Sequence, residues 1–532
     1  MFNHRGHRGA RRSGSYAIKI LGAPLCSLWW NLVLVLLCMS MLSCSKRPDT
    51  NTVVMIIESS PTNLDPRVGT DAQSERIDEL IFDPLVHRDE HFNMVPWAAE
   101  KWEIPDPRTY IFHLRRGIQF HDGRPLTARD VKWTLDSIRD GSLTTLKTTT
   151  YKLVERVDAP DDATVIIHLS EPDGTLLYNV SEGAFGIVPY GSGKPFNRHP
   201  IGSGPFTFVS QDPDTDVVLQ RNDNYWGQHA QVERVRLTIV PDATTRALEL
   251  RKGSADISPS GSLSADMIGT LRRYRSLKVE QQPGTVLAYL AFNLRDPILK
   301  DLRVRQALAY AIDRGAVLHY LFGDQGRLAD SVLPPQHWAY SGNVAHYPYD
   351  PAKANQILDA AGYARGADGV RFHLTMKTST EETTRLLAAV LQQQLRQIGI
   401  VLDIRSFEFA TFYGDVSKGA FQLYSLRWIG ANEDPDIFYY AFHSSSFPPG
   451  HANRSYYVNP EADRLIEAGR STVDQEKRKQ IYAQVQQILA RDLPYINLWY
   501  FDNVVVHSAR VQDLHVNPAG NYDFLSTVGL KR

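Results

Sequence analysis

The chain of 532 residues exceeds what one hydrophobic core supports, since single cores stop growing near about 250–300 residues and longer chains split into domains. Its 58 Lys and Arg balance 59 Asp and Glu, leaving a net charge of -1 and no basic excess to recruit a nucleic acid. At 43% hydrophobic and 22% charged it has the composition of a folded globular protein, and its three cysteines, Cys26, Cys38 and Cys44, all lie near the start, which excludes a disulfide or cysteine-ligated zinc in the body.

The first 19 residues carry Arg5, Arg8, Arg11, Arg12 and Lys19 without an acid, and the apolar run LWWNLVLVLLCMSML follows at 28–42. A basic segment before a short apolar one is the pattern of a secretory leader, and the run is shorter than the roughly 20 residues a spanning helix needs. Arg11 and Arg12 lack the flanking pattern of a twin-arginine signal and read as generic basic charge. MLSC at 41–44 resembles a bacterial lipobox, which predicts Cys44 as a lipid anchor, 1–43 as a lipoprotein signal peptide and 44–50 as a tether. The alternatives are an uncleaved signal anchor or an unmodified leader cysteine. The expected location is the cell envelope, on the periplasmic side of the membrane.

After the tether, NTVVMII (51–57) predicts a strand ending in the turn-rich ESSPTNLDP. TYIFHLRRGIQF (109–120) alternates as a strand, HDGRP interrupts it, and Thr127 caps an amphipathic helix in LTARDVKWTLDSIRD. TVIIHLS, PFTFVS, DVVLQRN and RVRLTIV add strands, and ATTRALELRKG reads as a helix stopped by Gly253. Apolar residues at helical spacing run through 301–320, and EETTRLLAAVLQQQLRQIGIVLDI predicts a helix leading into a strand. Near the end, PEADRLIEAGRSTVDQEKRKQIYAQVQQILARDLP holds two helices and INLWYFDNVVVHS reads as β. Interleaved elements of this kind build α/β lobes.

Motifs of catalysis are absent or weak. His121-Asp122-Gly123 reads as a turn, because adjacent turn residues rarely aim at one atom, and Gly202-Ser203-Gly204 lacks the Lys-Ser/Thr that follows in a phosphate cradle. The 17 histidines show no His-Glu-x-x-His spacing and no Gly-x-Ser-x-Gly elbow is present, so neither a zinc centre nor an activated serine is indicated.

The order of several segments resembles the family 5 extracellular solute-binding proteins of ABC importers, which serve peptides, nickel and related solutes. The longest is AAEKWEIPDPRTYIFHLRRGIQFHDGRPLTARDVKWTLD (98–136), joined by PIGSGPF (200–206), RNDNYWG (221–227), FNLRDPILKDLRVRQALAYAIDR (292–314), YDPAKANQILDAAGY (349–363), EDPD and RDLPYINLW. The resemblance implies an α/β, two-lobe periplasmic-binding-protein clamp of the type II, cluster C-like kind, with mixed sheets and an extra α+β subdomain. Lobe I would comprise 51–85, 200–289 and 500–532, subdomain Ib 86–199 and lobe II 290–499, with crossings near 287–292 and 498–501. It further implies a monomer that needs no cofactor, catalyses nothing, and passes a small-molecule or peptide solute to an ABC permease and ATPase complex.

In RWIGANEDPDIFYYAFHS (427–444), peptide-binding relatives place an amine-holding aspartate three residues after the tryptophan, where this chain has Ala431. A buried ammonium without a carboxylate is disfavoured by several kcal/mol, which argues against ordinary free peptides unless Glu433 or Asp434 takes over; both also fit a turn and helix cap with Asp436. The loop 376–385 offers only Lys377 in place of the relatives' carboxylate-gripping arginine. The candidate ligand-binding residues are Thr70, Tyr289, Lys377, Arg427, Trp428, Ala431, Asn432, Glu433 and Trp499, the aromatic ones reading equally well as core. Two other readings remain: the same fold binding a metal chelate, haem, modified peptide or oligosaccharide, and a secreted hydrolase.

Overall fold

The β-branched and aromatic runs of the sequence become strands of three main sheets in the computed structural model, which describes residues 51–183, 185–193 and 195–531. The leader and Cys44 lie outside the described residues. A seven-stranded mixed sheet has the order Leu277–Gln282, Asn503–Ser508, Ile257–Ser258, Thr52–Ile57, Arg234–Ile239, Asp216–Arg221 and Phe206–Asp212. Thr52–Ile57 runs parallel to Arg234–Ile239 in an unbroken register, and its apolar side chains join the core with Leu80, Ile81 and Phe206.

A six-stranded mixed sheet has the order Gly326–Leu328, Tyr495–Phe501, Leu287–Phe292, Leu423–Trp428, Phe372–Ser379 and Ile400–Phe407. Leu287–Phe292 is buried at every position because both faces of this sheet are covered. One face packs against helices that include Leu302–Ala311, Arg314–Phe322 and Glu382–Gln397, and the other carries Tyr289, Tyr424, Trp428, Tyr495 and Tyr500. A four-stranded antiparallel sheet of Ala99–Asp106, Thr109–Leu114, Thr164–Leu169 and Val154–Asp161 packs with the helix Ala128–Arg139 as a separate subdomain core.

Local signals act as read. Thr127 and Asp130 form a capping box at the start of Ala128–Arg139, and Gly253 ends Ala243–Lys252 in the left-handed conformation at φ 80°. His121 is structural: its Nδ1 accepts from the Gly202 amide at 3.2 Å and its Nε2 donates to the Gly204 carbonyl at 3.1 Å. Gly202 and Gly204 face the backbone of Leu80 and Ile81 so closely that a side chain at either has no room. Asp83 accepts from Trp97 Nε1 (2.8 Å), Trp226 Nε1 (3.0 Å) and Tyr225 Oη (3.2 Å), so one buried carboxylate ties RNDNYWG to the segment before the subdomain.

Two expectations change. The helical stretch at 301–320 is two helices, because Asp313 leaves the ladder to cap Arg314–Phe322 through the Ala316 amide. The crossings between sheets lie at 283–286 and at Asp502, not inside 287–292 and 498–501, because the ladders of Leu287–Phe292 and Tyr495–Phe501 belong wholly to the six-stranded sheet. Asp502 accepts from Gln281 Nε2 at 2.9 Å and Arg327 Nε at 3.2 Å, and Arg327 also donates to the Gly284 carbonyl, so the two crossings are pinned side by side.

Candidate functional site between the two sheets

The two sheet-bearing halves meet along a set of polar and aromatic contacts. Arg88, at the end of the strand Val86–Arg88, donates from Nε to Glu182 at 2.7 Å and from a terminal nitrogen to Glu433 at 2.6 Å. Its guanidinium also lies 5.0 Å over the Tyr178 ring. Burial lifts the Glu433 carboxyl above its ordinary range, and Arg88 opposes that shift. Nearby, the Trp338 amide donates to the His91 carbonyl at 3.0 Å, Phe92 stacks on His337 at 5.4 Å, and Gln475 donates to Asn93 at 2.7 Å. A polar cavity of about 400 Å³ opens beside these contacts, lined by His91, Asn93, Gln336, Trp338, Tyr340 and Gln475.

On the first half, Asp71 caps the helix Ala72–Ile81 through the Ser74 amide, and Thr70 before it is exposed. Glu75 in the first turn of that helix has no ion-pair or side-chain hydrogen-bond partner among the described residues. Burial pushes its carboxyl up to about 7; Lys147 opposes the rise, while Asp71 and Glu433 add to it.

On the second half, Trp428 stacks on Tyr289 (5.6 Å, 17°), which stacks in turn on Tyr495 (4.4 Å, 14°). Tyr440 meets Trp428 edge-on at 6.0 Å, and Ile429 beyond it is 62% exposed. Arg454, from the loop 443–459, comes within 5.8 Å of the Trp428 ring and donates to Tyr413 Oη at 2.6 Å.

The residues expected to bind ligand therefore separate. Thr70, Arg427 and Ala431 are exposed; Arg427 lies 4.5 Å over Phe501 and has no carboxylate partner among the described residues. Lys377 is paired with Asp415 at 2.7 Å, and Glu433 with Arg88, so both are already neutralised. Asn432 is buried and donates to the carbonyls of Thr285 (2.8 Å) and Val332 (3.0 Å), which fixes the crossing segment. Tyr289 forms the layer behind Trp428, and Trp499 points to the opposite face of the sheet, against Phe322 at 5.2 Å. Asp434 accepts from the Asp436 amide and lies 3.7 Å from Arg478; burial raises its carboxyl to about 6. Sequence reasoning missed Glu75, Arg88, Glu182 and Arg454. Their one signal is a charge beside apolar or aromatic residues, as in LVHR and NRSYY, and that pattern is too common to single them out.

Comparison with known proteins agrees with this architecture. The chain is 27% identical to the dipeptide-binding protein of Escherichia coli K12 over 89% of this chain and 94% of the relative. It is 28% identical to the heme-binding protein A of Haemophilus influenzae over 90% of this chain and 92% of the relative. The solved structure of NikZ from Campylobacter jejuni in complex with Ni(L-His) is 25% identical, with a TM-score of 0.74 and coverage of 89% and 98%. These relatives are solute-binding proteins of two-domain architecture, not enzymes. The profile described as bacterial extracellular solute-binding proteins, family 5 middle, matches residues 93–448, and the chain belongs to that family.

Proposed function

We propose that this protein is the extracytoplasmic receptor of an ABC importer: it captures a peptide or peptide-like solute between two lobes and delivers it to a permease driven by an ATPase. Lobe I is formed by 51–282 and 503–531 with the subdomain 86–199 inserted, and lobe II by 287–501. Cys44, lipidated, tethers a monomer to the membrane on the periplasmic side. The observation that carries this reading is the double crossing at 283–286 and Asp502, which lets two rigid sheets close on a solute about one narrow bridge. Closure follows from a solute that binds the closed arrangement more tightly than the open one.

A second reading keeps the mechanism and changes the solute. Ala431 carries no charge, Glu433 is held by Arg88 and Lys377 by Asp415, so the groups expected at the two ends of a free peptide are missing or occupied. That favours haem, a metal chelate, a modified peptide or an oligosaccharide, in keeping with relatives named for heme and solved with Ni(L-His). Thermal unfolding with trialanine, N-acetyl-trialanine, haem, nickel-histidine and maltotriose separates the two, because a solute that binds only the folded state raises the midpoint by mass action. A shift with trialanine supports the peptide reading. A shift confined to another member of the panel supports the second, and loss of uptake of that compound in a deletion strain completes the test.

A further inference from the structure

Arg454 is 7% exposed, and a guanidinium taken out of water is expected to sit against a carboxylate. Other buried arginines meet a carboxylate, Arg67 with Asp65 at 2.8 Å, Arg88 with Glu182 at 2.7 Å and Arg478 with Asp434 at 3.7 Å, or spend their N–H groups on several backbone carbonyls, as Arg246 does on Val240, Pro241 and Ser262 and Arg305 on Leu299, Lys300 and Asp492. Arg454 differs. Among the described residues its neighbours are the Tyr413 hydroxyl at 2.6 Å and the rings of Tyr413 and Trp428 at 5.1 and 5.8 Å, with no carboxylate partner. The phenols of Tyr289, Tyr424 and Tyr495 also face it and help keep it charged.

A neighbouring donor shares this lack of an acceptor: Trp428 Nε1 is buried without a hydrogen-bond partner among the described residues, whereas the phenols of Tyr289, Tyr424 and Tyr495 interact with one another. The unpaired indole N–H opposes burial, as does the uncompensated cation. The cluster is not sealed off: Tyr413 is 40% exposed, and Trp428 ends its strand beside exposed Ile429 and Tyr440.

We propose that Arg454, with the Tyr413 hydroxyl and the Trp428 indole N–H, forms a carboxylate-binding subsite on the lobe II wall of the solute site. It rests on the solute-binding reading and narrows it to solutes that present a carboxylate. With Lys377 neutralised by Asp415, Arg454 is the cation whose aromatic surroundings leave a carboxylate's place unfilled. The planar guanidinium suits two parallel hydrogen bonds to the carboxylate oxygens.

The test is thermal unfolding and calorimetry of the protein and of Arg454→Gln and Tyr413→Phe, with trialanine, trialanine amide, succinate and inorganic phosphate as probes. The expected result is that trialanine or succinate raises the wild-type midpoint while trialanine amide does not, and that Arg454→Gln weakens binding by about tenfold or more. Tyr413 lies at the surface, so Tyr413→Phe keeps the fold and carries the test if Arg454→Gln does not fold; it is expected to weaken only the carboxylate probes. A response to succinate without trialanine marks a small organic acid, and the converse marks a peptide terminus. The subsite is overturned if no carboxylate probe shifts the wild type, if only phosphate does, if trialanine and its amide bind alike, or if both variants respond as wild type. Equal binding of trialanine and its amide leaves solute capture standing while this subsite falls, so the two failures are distinct.

Discussion

Removing the Glu433 carboxylate leaves Arg88 buried with Glu182 as its remaining acidic partner. Glu433→Gln is therefore expected to lower unfolding free energy by about 1–3 kcal/mol, the range for a charge-assisted hydrogen bond, as measured by urea titration. A stability unchanged from wild type would mean that the 2.6 Å contact contributes nothing in solution. Asn432→Ala removes both donors to Thr285 and Val332 and is expected to destabilise by about 1–3 kcal/mol in the same titration. Whether such residues were legible depended on how far away their partners lie. Thr127 and Gly253 act on neighbours in sequence and were readable, whereas His121 was readable only as part of a turn, because its partners Gly202 and Gly204 lie 81 and 83 residues on. Glu433 meets Arg88 across 345 residues, and Lys377 meets Asp415 from another element, so neither spacing nor propensity reveals that their charges are already satisfied.

At the scale of the element, the helix Ala72–Ile81 turns Glu75, Asp78 and Glu79 toward a setting with more acid than its cations offset. The Glu75 carboxyl titrates near 7 folded against 4.5 for an ordinary glutamate, so between those values the folded state holds a proton that the unfolded chain has released. Stability from this group is present below pH 4.5 and is lost as pH rises through 7. Glu75→Gln escapes that loss. Its advantage in unfolding free energy should be under about 1 kcal/mol at pH 5 and about 3 kcal/mol at pH 8, read from urea curves at both. An advantage of the same size at both pH values would contradict it. Element boundaries show a similar dependence on context. β-propensity alone found the strongly β segment near the C-terminus, yet that segment is two strands, Tyr495–Phe501 and Asn503–Ser508, in different sheets. Nothing local marks Asp502 as the break, because its role is set by Gln281 and Arg327.

For the whole molecule, the two-lobe architecture was legible because long segments such as 98–136 fix a whole chain order, whereas the contacts that set the balance between open and closed lie only at the meeting of the lobes. Arg88–Glu433, Gln475–Asn93 and the Trp338 amide on the His91 carbonyl hold the halves together without any solute. Arg88→Ala removes the most buried of these and leaves Glu182 and Glu433, two carboxylates, without their shared cation. Each then gains by moving into water, and separation of the lobes is the route that exposes Glu433. The solute-free variant should show a larger radius of gyration than wild type by small-angle X-ray scattering. Because apparent affinity scales with the fraction of molecules able to close, a loss of about 1–3 kcal/mol from the closed arrangement weakens solute binding by about 5- to 150-fold. A radius unchanged from wild type, with unaltered affinity, would show that the lobes are held by the Gln475 and Trp338 contacts and that Arg88 serves only the local fold around Glu182.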